Sequence, residues 1–383
     1  MDINLFDHSK VRAQLKPFTF TRPVADIRVG ILKISEKWEH FGFKSGFLTQ
    51  DYLSDKFNLI QGALPVNGCL IPNAVVVEAI KALQPDQGLW RREMLLAGNE
   101  EGEKIELQED VQMIENSWDI FSKNRSEIIA DFDLITKNRK SQPIDDPHTI
   151  VYGKENLFIE EGANIKAAII DASNGPVYIG QNATVHPGSV INGAFALCEG
   201  SHVNMAAKIK GDTTIGPFCK VGGEISNSVI LGYSNKGHDG FLGNSVVGEW
   251  CNIGADSNTS NLKNNYAEVK LWDYESGRFK RTGLQFCGLM MADHAKCGIN
   301  TMFNTGTVVG VGANIFGSGF PRNFIPSFSW GGAAGLTTFQ QRKFDEVAEA
   351  VMKRRNMEYT DQEKAIIENV FEQTSDYRIW DKK

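Results

Sequence analysis

Apolar side chains recur every six residues through much of the second half of the chain. They stand in four runs, at Ile179, Val185 and Ile191, at Ile215 and Val221, at Val247 and Ile253, and at Cys297, Phe303, Val309 and Ile315. A six-residue period matches neither the two-residue repeat of an isolated strand nor the 3.6-residue repeat of a helix. It is typical of a parallel β-helix built from hexapeptides, in which stacked coils bury one continuous core. The alternative is a glycine-rich β-sandwich, in which period two and strands 8 to 12 residues apart are expected.

Glycine is distributed unevenly along the 383 residues. Only 8 of the 37 glycines lie in residues 1–150, and the other 29 lie between 151 and 335. A Pro and Asp cluster at 141–147 suits a linker between two architectures. We therefore predict three segments, an α/β domain at 1–145, a β-helix domain at 146–335 and a helical segment at 336–383.

The first segment alternates short apolar runs, such as residues 29–34, with helical patterns, such as residues 69–83. This alternation predicts α/β layers around a sheet that is at least partly parallel. Between residues 109 and 140, apolar residues recur at steps of three and four, which predicts a helix that ends before the linker.

Two features are expected near the end of the chain. Residues 262–290 break the six-residue period, and we expect them to leave the β-helix as a hairpin or loop. Residues beyond 335 have a helical pattern again, and Thr360 with Glu363 has the spacing of a capping box. We expect these helices to cover apolar surface of the β-helix, which a solenoid end exposes.

Composition excludes several classes of protein. A formal net charge of −7 argues against nucleic acid as the main partner, because binding its phosphate backbone needs a basic face. The sequence has neither an apolar run of about 18 residues nor a signal peptide, so we expect a cytoplasmic protein without a membrane partner. Six cysteines without a CxxC pair are expected to be small buried residues rather than disulfides or a zinc site. They are Cys69, Cys198, Cys219, Cys251, Cys287 and Cys297.

Residues 235–263 add polar side chains to the repeat. A polar group in the core of a repeat costs free energy, so we expect such residues on the outside or at a cleft. Gly237-His238 stands before Phe241-Leu242-Gly243, Asn252-Ile253-Gly254-Ala255 follows, and Asn261 comes nine residues after Asn252.

In these motifs, residues 151–320 resemble the left-handed β-helix domain of the bifunctional UDP-N-acetylglucosamine pyrophosphorylase and glucosamine-1-phosphate acetyltransferase family. Residues 12–38 look like the opening of the nucleotidyltransferase domain in a divergent branch of that family. The resemblance implies an α/β nucleotidyltransferase-like domain, a left-handed parallel β-helix and C-terminal helices. It also implies acetyl transfer from acetyl-CoA to an amino-sugar 1-phosphate, nucleotidyl transfer from a nucleoside triphosphate to a sugar 1-phosphate, or both.

The same resemblance implies roles for particular residues. The catalytic residues would be His238 as general base with Asn252 and Asn261. Contacts to substrate would come from Phe241, Lys220 and Lys263. Phosphate and Mg²⁺ contacts are expected from Arg22, Arg28, Lys33 and Asp26, because Arg forks suit phosphate oxygens and Mg²⁺ takes carboxylates. The alternative for these charges is a solvated helix start. The implied partners are a sugar phosphate, a nucleoside triphosphate, acyl-CoA and two further copies of the chain in a homotrimer.

The chemistry fits these residue types. Removing a proton from an amine near neutral pH suits imidazole, whose unperturbed pKa lies there. An asparagine amide or a backbone N–H is a neutral donor that stabilises the oxyanion of a tetrahedral intermediate. His238 with Asn252 and Asn261 would supply the base and the polar contacts.

Departures from the family pattern leave rival interpretations open. Phe241 replaces a tyrosine, Ser226 and Asn227 replace paired lysines, Val24 replaces a lysine, and no glycine precedes Gly30 in the phosphate-binding loop. One rival is nucleotidyl transfer only, with the β-helix as a trimerisation scaffold, and another is acyl transfer only. A non-enzymatic scaffold is the third. A zinc site formed by histidines of neighbouring coils, His186, His202, His238 and His294, is a further alternative.

Overall fold

The protein forms two compact units in a computed structural model that describes residues 1–382. The first unit comprises residues 1–28 and 32–117, and the second comprises residues 29–31 and 118–382. The second unit therefore begins before the predicted boundary at 145. The reason is that the helix Asn124–Thr136 packs on strands of the β-helix, and Asn124 Nδ2 donates a hydrogen bond to the Asp212 carbonyl at 2.9 Å.

The first unit is built on a mixed six-stranded sheet, which confirms the predicted α/β architecture. In spatial order its strands are Lys44–Leu48, Asp2–Phe6, Leu64–Asn67, Met94–Gly98, Gln87–Arg91 and Glu103–Glu106. The first three strands run parallel to one another, and the last two are parallel to each other. Helices and 3₁₀ turns of this segment are Ser9–Gln14, Phe18–Phe20, Val24–Asp26, Ile34–His40, Asp51–Ser54 and Ala74–Ala82.

The apolar run at 29–34 is not a strand. Gly30 has a φ of +85°, and the helix Ile34–His40 already begins at the last residue of the run. A strand is formed instead by Asp2–Phe6, which lies between Lys44–Leu48 and Leu64–Asn67 in the sheet and in which Ile3 and Leu5 are fully buried. The helical pattern at 69–83 is confirmed over Ala74–Ala82, where the Asn73 side chain accepts a hydrogen bond from the Val76 N–H.

The second unit is a left-handed parallel β-helix whose coils each pass through three sheets. The first sheet contains Ile150–Tyr152, Ile169–Asp171, Val190–Asn192, Lys208–Ile209, Glu224–Ser226 and Phe241–Gly243, and Asn258–Thr259 pairs with Met302–Phe303 farther along. The second sheet contains Leu157–Ile159, Val177–Ile179, Phe195–Leu197, Thr213–Ile215, Val229–Gly232, Val246–Glu249, Met290–Met291, Val308–Val309 and Phe324–Ile325. The third contains Asn164–Ile165, Thr184–Val185, His202–Val203, Lys220–Val221, Asn235–Lys236, Asn252–Ile253, Lys296–Cys297, Asn314–Ile315, Ser329–Gly332 and Gly335–Thr338.

The six-residue period is confirmed as the core of this β-helix. All eleven residues of the four runs are at most 4% exposed and belong to one apolar cluster. Burying a Val or Ile side chain stabilises by roughly 1.5–3 kcal/mol, so the stacked rows dominate the favourable side of folding. The six cysteines are buried and carry free thiols.

Aromatic side chains stack on one another at the corner between the second and third sheets. Phe218, Tyr233, Trp250 and His294 occupy this corner on successive coils, each with a φ between +53° and +61°. Adjacent rings lie 5.3, 4.5 and 6.3 Å apart and nearly parallel. A left-handed backbone costs a non-glycine residue about 1–2 kcal/mol, and contact between neighbouring rings offsets part of that cost.

Two C-terminal helices, Gln341–Lys353 and Asp361–Gln373, are found where the sequence predicts them. Phe344 places its ring 5.2 Å from His294, so the first helix covers the end of the aromatic stack. The capping box is confirmed, since the Thr360 hydroxyl accepts from the Glu363 N–H and the Glu363 carboxylate accepts from the Thr360 N–H. Short 3₁₀ turns elsewhere in the second unit are Lys154–Asn156, Ser375–Tyr377 and Ile379–Asp381, and a short helix is Asp119–Ser122.

The predicted extrusion at 262–290 is a two-stranded antiparallel hairpin, Lys270–Asp273 with Arg278–Arg281. Its Trp272 ring stacks on Phe324 of the second sheet at 4.2 Å, which holds the hairpin against the last coils. Among residues 1–382, no helix combines the length and the apolar character needed to cross a membrane.

Candidate active site at a corner of the β-helix

The His238 side chain lies at a corner between the third sheet and the first. Strand Asn235–Lys236 ends there, and residues 237–240 lead into strand Phe241–Gly243 of the next coil. His238 is exposed, so its imidazole faces solvent while its backbone belongs to the β-helix. This is the arrangement that a general base needs in order to meet a substrate from solution.

Lys236 lies inside the β-helix, contrary to the expectation that polar residues of this segment stay outside. It is the strand partner of the inward Val221, and only 2% of its surface is exposed. The ammonium group donates hydrogen bonds to the carbonyl oxygens of His238 and Asp239, the second at 3.2 Å. A buried cation is tolerated when it is well paired, and here the two carbonyl oxygens of the corner accept from it.

The corner is also fixed by its neighbours. On the previous coil, only Gly222 and Gly223 connect the third sheet to the first. A Cβ atom on Gly223 would lie 2.6 Å from the Gly240 carbonyl oxygen and 2.9 Å from the Asp239 Cα. The two coils therefore touch through backbone, and Asn204 Nδ2 adds a 2.7 Å hydrogen bond to the Gly237 carbonyl.

Burial lowers the pKa of Lys236 to about 8, although Asp239 and Asp256 act in the opposite direction. The ammonium and the neutral amine both carry N–H donors. The hydrogen bonds to the corner therefore do not require the charged form.

Asn252 lies on the outer surface of the third sheet, one coil beyond the corner. It is exposed and is the strand partner of Asn235. Asn235 precedes the His238 corner by three residues, so Asn252 follows the same sheet surface one coil farther on.

Asn261 lies at the far end of the first-sheet strand. Its Nδ2 donates to Asn244 Oδ1 at 2.8 Å, and Asn244 directly follows the strand Phe241–Gly243. A Cβ on Gly243 would lie 2.5 Å from the Phe241 ring and 2.7 Å from Asn261 Nδ2, so both groups cover that glycine. A strand of three residues is about 10 Å long, which leaves His238 and Asn261 at opposite ends of one short surface.

The two predicted lysine contacts are in different places. Lys220 is exposed on the outer surface of the third sheet, with His202 and Asn235 as strand partners. Lys263 donates a 2.8 Å hydrogen bond to the Glu268 carbonyl within the extruded segment.

The charged residues predicted to contact phosphate or Mg²⁺ in the first unit are buried and paired. Arg22 lies 3.3 Å from one carboxylate oxygen of Asp26, and Lys33 lies 2.7 Å from the other. Arg28 lies 3.6 Å from Glu36. Since cations already face both oxygens of Asp26, this carboxylate does not fit a Mg²⁺ ion.

A cleft of about 620 Å³ opens in the first unit where strands Asp2–Phe6 and Lys44–Leu48 end. Asp7 and Glu100 are its charged lining residues, and the Asp7 carboxylate accepts from Arg12 and from the Val24 N–H, both at 2.7 Å. The carboxyl ends of parallel strands are a common place for ligands in α/β sheets.

The zinc alternative lacks convergent ligands. His186 and His202 stack on the third sheet, with Nε2 and Nδ1 3.4 Å apart. His294, however, belongs to the aromatic stack at the opposite edge of that sheet. Within residues 1–382, no group of three His, Cys, Asp or Glu side chains is placed to hold a metal ion.

Sequence reasoning missed Lys236, Asn204 and Arg355, whose Nη2 donates to Asn235 Oδ1 at 3.1 Å. The sequence did contain a signal for Lys236. It stands fifteen residues after Val221 and seventeen before Ile253, which places it in the row of inward residues. Arg355 had none, since it comes from a distant helical segment.

Residues 3–140 match a family model described as sugar nucleotidyl transferase. The bifunctional protein GlmU of Methanocaldococcus jannaschii is 32% identical over 87 residues, which are 23% of this chain and 21% of the relative. GlmU of Wigglesworthia glossinidia brevipalpis is 25% identical over 181 residues, which are 44% of this chain and 35% of the relative.

Among solved structures, a UDP-N-acetylglucosamine acyltransferase from Campylobacter jejuni is 13% identical. The match covers 57% of this chain and 93% of that one with a TM-score of 0.23, which is too low for any functional argument. The chain spans between 21% and 35% of the GlmU relatives compared here. The resemblance predicted from the sequence is nevertheless confirmed, since the chain resembles the bifunctional GlmU proteins and has a sugar nucleotidyl transferase match.

Proposed function

We propose that the protein is a transferase of sugar-nucleotide biosynthesis, and that the β-helix corner at His238 transfers an acetyl group. The donor would be acetyl-CoA, and the acceptor would be the amine of an amino-sugar 1-phosphate. The amine attacks the thioester carbonyl carbon, the bond to sulfur breaks, and coenzyme A leaves as the thiol while the amine becomes an amide.

One observation carries this proposal. His238 presents an exposed imidazole on a backbone corner that Lys236 and Asn204 hold with three hydrogen bonds. A fixed backbone leaves only the side-chain torsions of His238 to be ordered when substrate binds, which favours transfer of the amine proton to it.

The asparagines and Phe241 would bind the acceptor along the same surface. Asn252, exposed beside the corner, would donate to the developing oxyanion or to a sugar hydroxyl. Asn261 lies at the far end of the first-sheet strand, and the ring of Phe241 extends along that strand to Gly243, where an aromatic face suits the apolar face of a sugar ring. Lys263 would contact the acceptor from the extruded segment.

Nucleotidyl transfer is the second candidate. The sugar nucleotidyl transferase match over residues 3–140 favours it, and the cleft near Asp7 is a place where such a substrate would bind. The nucleoside triphosphate would enter as its Mg²⁺ complex, with Arg22 and Arg28 as phosphate contacts only if their present ion pairs open. In the remaining alternative, the β-helix is a trimerisation scaffold without activity of its own.

Three further properties belong to the proposal. Acetyl-CoA and nucleoside triphosphates are cytoplasmic metabolites, so we expect a cytoplasmic enzyme. A homotrimer is expected from the family resemblance. In such an assembly, neighbouring β-helices would bind acyl-CoA between them.

Two product assays on the purified protein test the proposal. One follows free thiol from acetyl-CoA with glucosamine 1-phosphate, and the other follows pyrophosphate from UTP with N-acetylglucosamine 1-phosphate. Thiol release with formation of the N-acetylated sugar supports the acetyltransferase. Pyrophosphate alone supports the second candidate, and neither product would contradict both activities with these substrates.

A further inference from the structure

Basic side chains meet on the outer surface of the third sheet, just before the His238 corner. His202 and Lys220 are partners on adjacent strands, and Lys220 is in turn the partner of Asn235. His186 lies on the previous coil, two residues after Thr184, the strand partner of His202, and its Nε2 is 3.4 Å from His202 Nδ1. Adjacent strands are about 4.8 Å apart, so these side chains occupy one small area.

Arg355 brings a second cation to this area from another part of the unit. It follows the helix Gln341–Lys353, and its Nη2 donates to Asn235 Oδ1 at 3.1 Å. Arg355, His202 and Asn235 are half-buried, so the guanidinium is held over the sheet rather than free in solvent. The site thus combines side chains of the β-helix with one from the C-terminal helices.

The positive charge of the area is not neutralised locally. Over residues 1–382, no carboxylate oxygen lies within 4.0 Å of Lys220, Arg355, His186 or His202. Burial lowers the pKa of His202, and Lys220, His186 and Arg355 lower it further. Like charges gathered without a counter-charge repel one another, and an anion placed among them relieves that repulsion.

We propose that Lys220, His202 and Arg355 bind a phosphate group of a ligand on the third sheet. A guanidinium donates two parallel N–H bonds to phosphate oxygens, an ammonium adds a point charge, and an imidazole adds a further donor. Two sources supply this chemistry, the phosphate of the amino-sugar 1-phosphate and the phosphates of coenzyme A. The site itself does not depend on acetyl transfer, although its closeness to the His238 corner suits either ligand.

Calorimetric titration with inorganic pyrophosphate at low salt tests the site. Hydrogen bonds to charged groups are worth enough that Arg355→Gln and Lys220→Gln should each weaken binding about tenfold or more. The matched control is Lys208→Gln, an exposed lysine on the first sheet, which should bind like the wild type. Thermal unfolding of each variant checks that the fold is retained. Equal affinity in all four proteins, or no binding by the wild type, would overturn the proposal.

Two further titrations separate the sources of the phosphate. If Arg355→Gln weakens the binding of coenzyme A but not that of glucosamine 1-phosphate, the site binds the coenzyme. The reverse result assigns the site to the sugar phosphate. His238→Ala should bind both ligands as the wild type does. A wild-type protein that binds both ligands but releases no thiol would contradict the proposed acetyl transfer and leave the phosphate site standing. If Arg355→Gln binds both ligands with the wild-type affinity, the phosphate site is contradicted.

Discussion

Replacing Lys236 by Met should separate the stability of the β-helix from the activity of its corner. Methionine has a similar length and suits an apolar interior, but it donates no hydrogen bond to the carbonyls of His238 and Asp239. We expect the variant to fold normally and to lose most of its acetyl transfer.

The two contributions of Lys236→Met to the unfolding free energy nearly cancel. A folded-state pKa of about 8 in place of 10.5 means that the fold disfavours the ammonium by about 3 kcal/mol, which Met removes. Against this, the two corner carbonyls lose a donor, at about 1–3 kcal/mol for each group left unsatisfied. The Asp239 carbonyl still accepts from the Asp256 N–H at 2.9 Å, which reduces its share of the cost. The net change in unfolding free energy should lie within about 2 kcal/mol of zero.

Activity should respond more strongly. With its two anchoring bonds removed, the corner moves, and a displacement near 1 Å costs on the order of 100-fold in rate. Urea denaturation gives the stability, and thiol release from acetyl-CoA gives kcat and KM. Ile253→Met is the control, because it places methionine in the same inward row one coil away, where a volume-conserving change is tolerated. A Lys236→Met protein with the kcat of Ile253→Met would refute the role of Lys236 in positioning His238.

Three further outcomes are expected from the same corner. The free energy of unfolding of the wild type should rise by up to about 3 kcal/mol relative to that of Lys236→Met between pH 8 and pH 10.5. The reason is that the folded lysine, with a pKa of about 8, releases its proton at lower pH than the unfolded one. Unfolding curves across that pH range check the sign. Gly223→Ala should lose more than about 1 kcal/mol of unfolding free energy, since φ is +72° there and the new Cβ would lie 2.6 Å from the Gly240 carbonyl oxygen. Gly277→Ala is the control, because Gly277 has a φ of +61° but open space around it, so this variant shows the cost of backbone strain without a clash. Asn204→Ala should cost about 1 kcal/mol and raise amide hydrogen exchange at residues 237–240, whereas unchanged exchange would show that its bond to Gly237 is dispensable.

The sequence predicts the β-helix well because each six-residue step brings the chain to the next inward position of the coil. Each inward residue, such as Val185 or Ile315, is buried on a coil that repeats the previous one. The capping box at Thr360 is equally local, since both of its hydrogen bonds join residues three apart. Such features depend on neighbours in sequence or on a fixed repeat, and a pattern is enough to find them.

The first unit and the corner chemistry depend on contacts that no local pattern encodes. Residues 29–34 have the composition of a strand, but Gly30 has a φ of +85°, residues 29–31 belong to the second unit and a helix begins at Ile34. Lys236 breaks the apolar row, and it is accommodated because its ammonium donates to the carbonyl oxygens of His238 and Asp239, which only the folded corner places there. Arg355 meets Asn235 across 120 residues of sequence, so only the fold reveals that pairing.

The most direct test of the proposed corner is the rate of thiol release by His238→Ala. His238 is exposed, so the substitution should leave the unfolding transition unchanged. Loss of a general base should lower kcat by about 100-fold or more at pH 7. A His238→Ala protein that releases coenzyme A at the wild-type rate would contradict the assignment of this corner as the catalytic site.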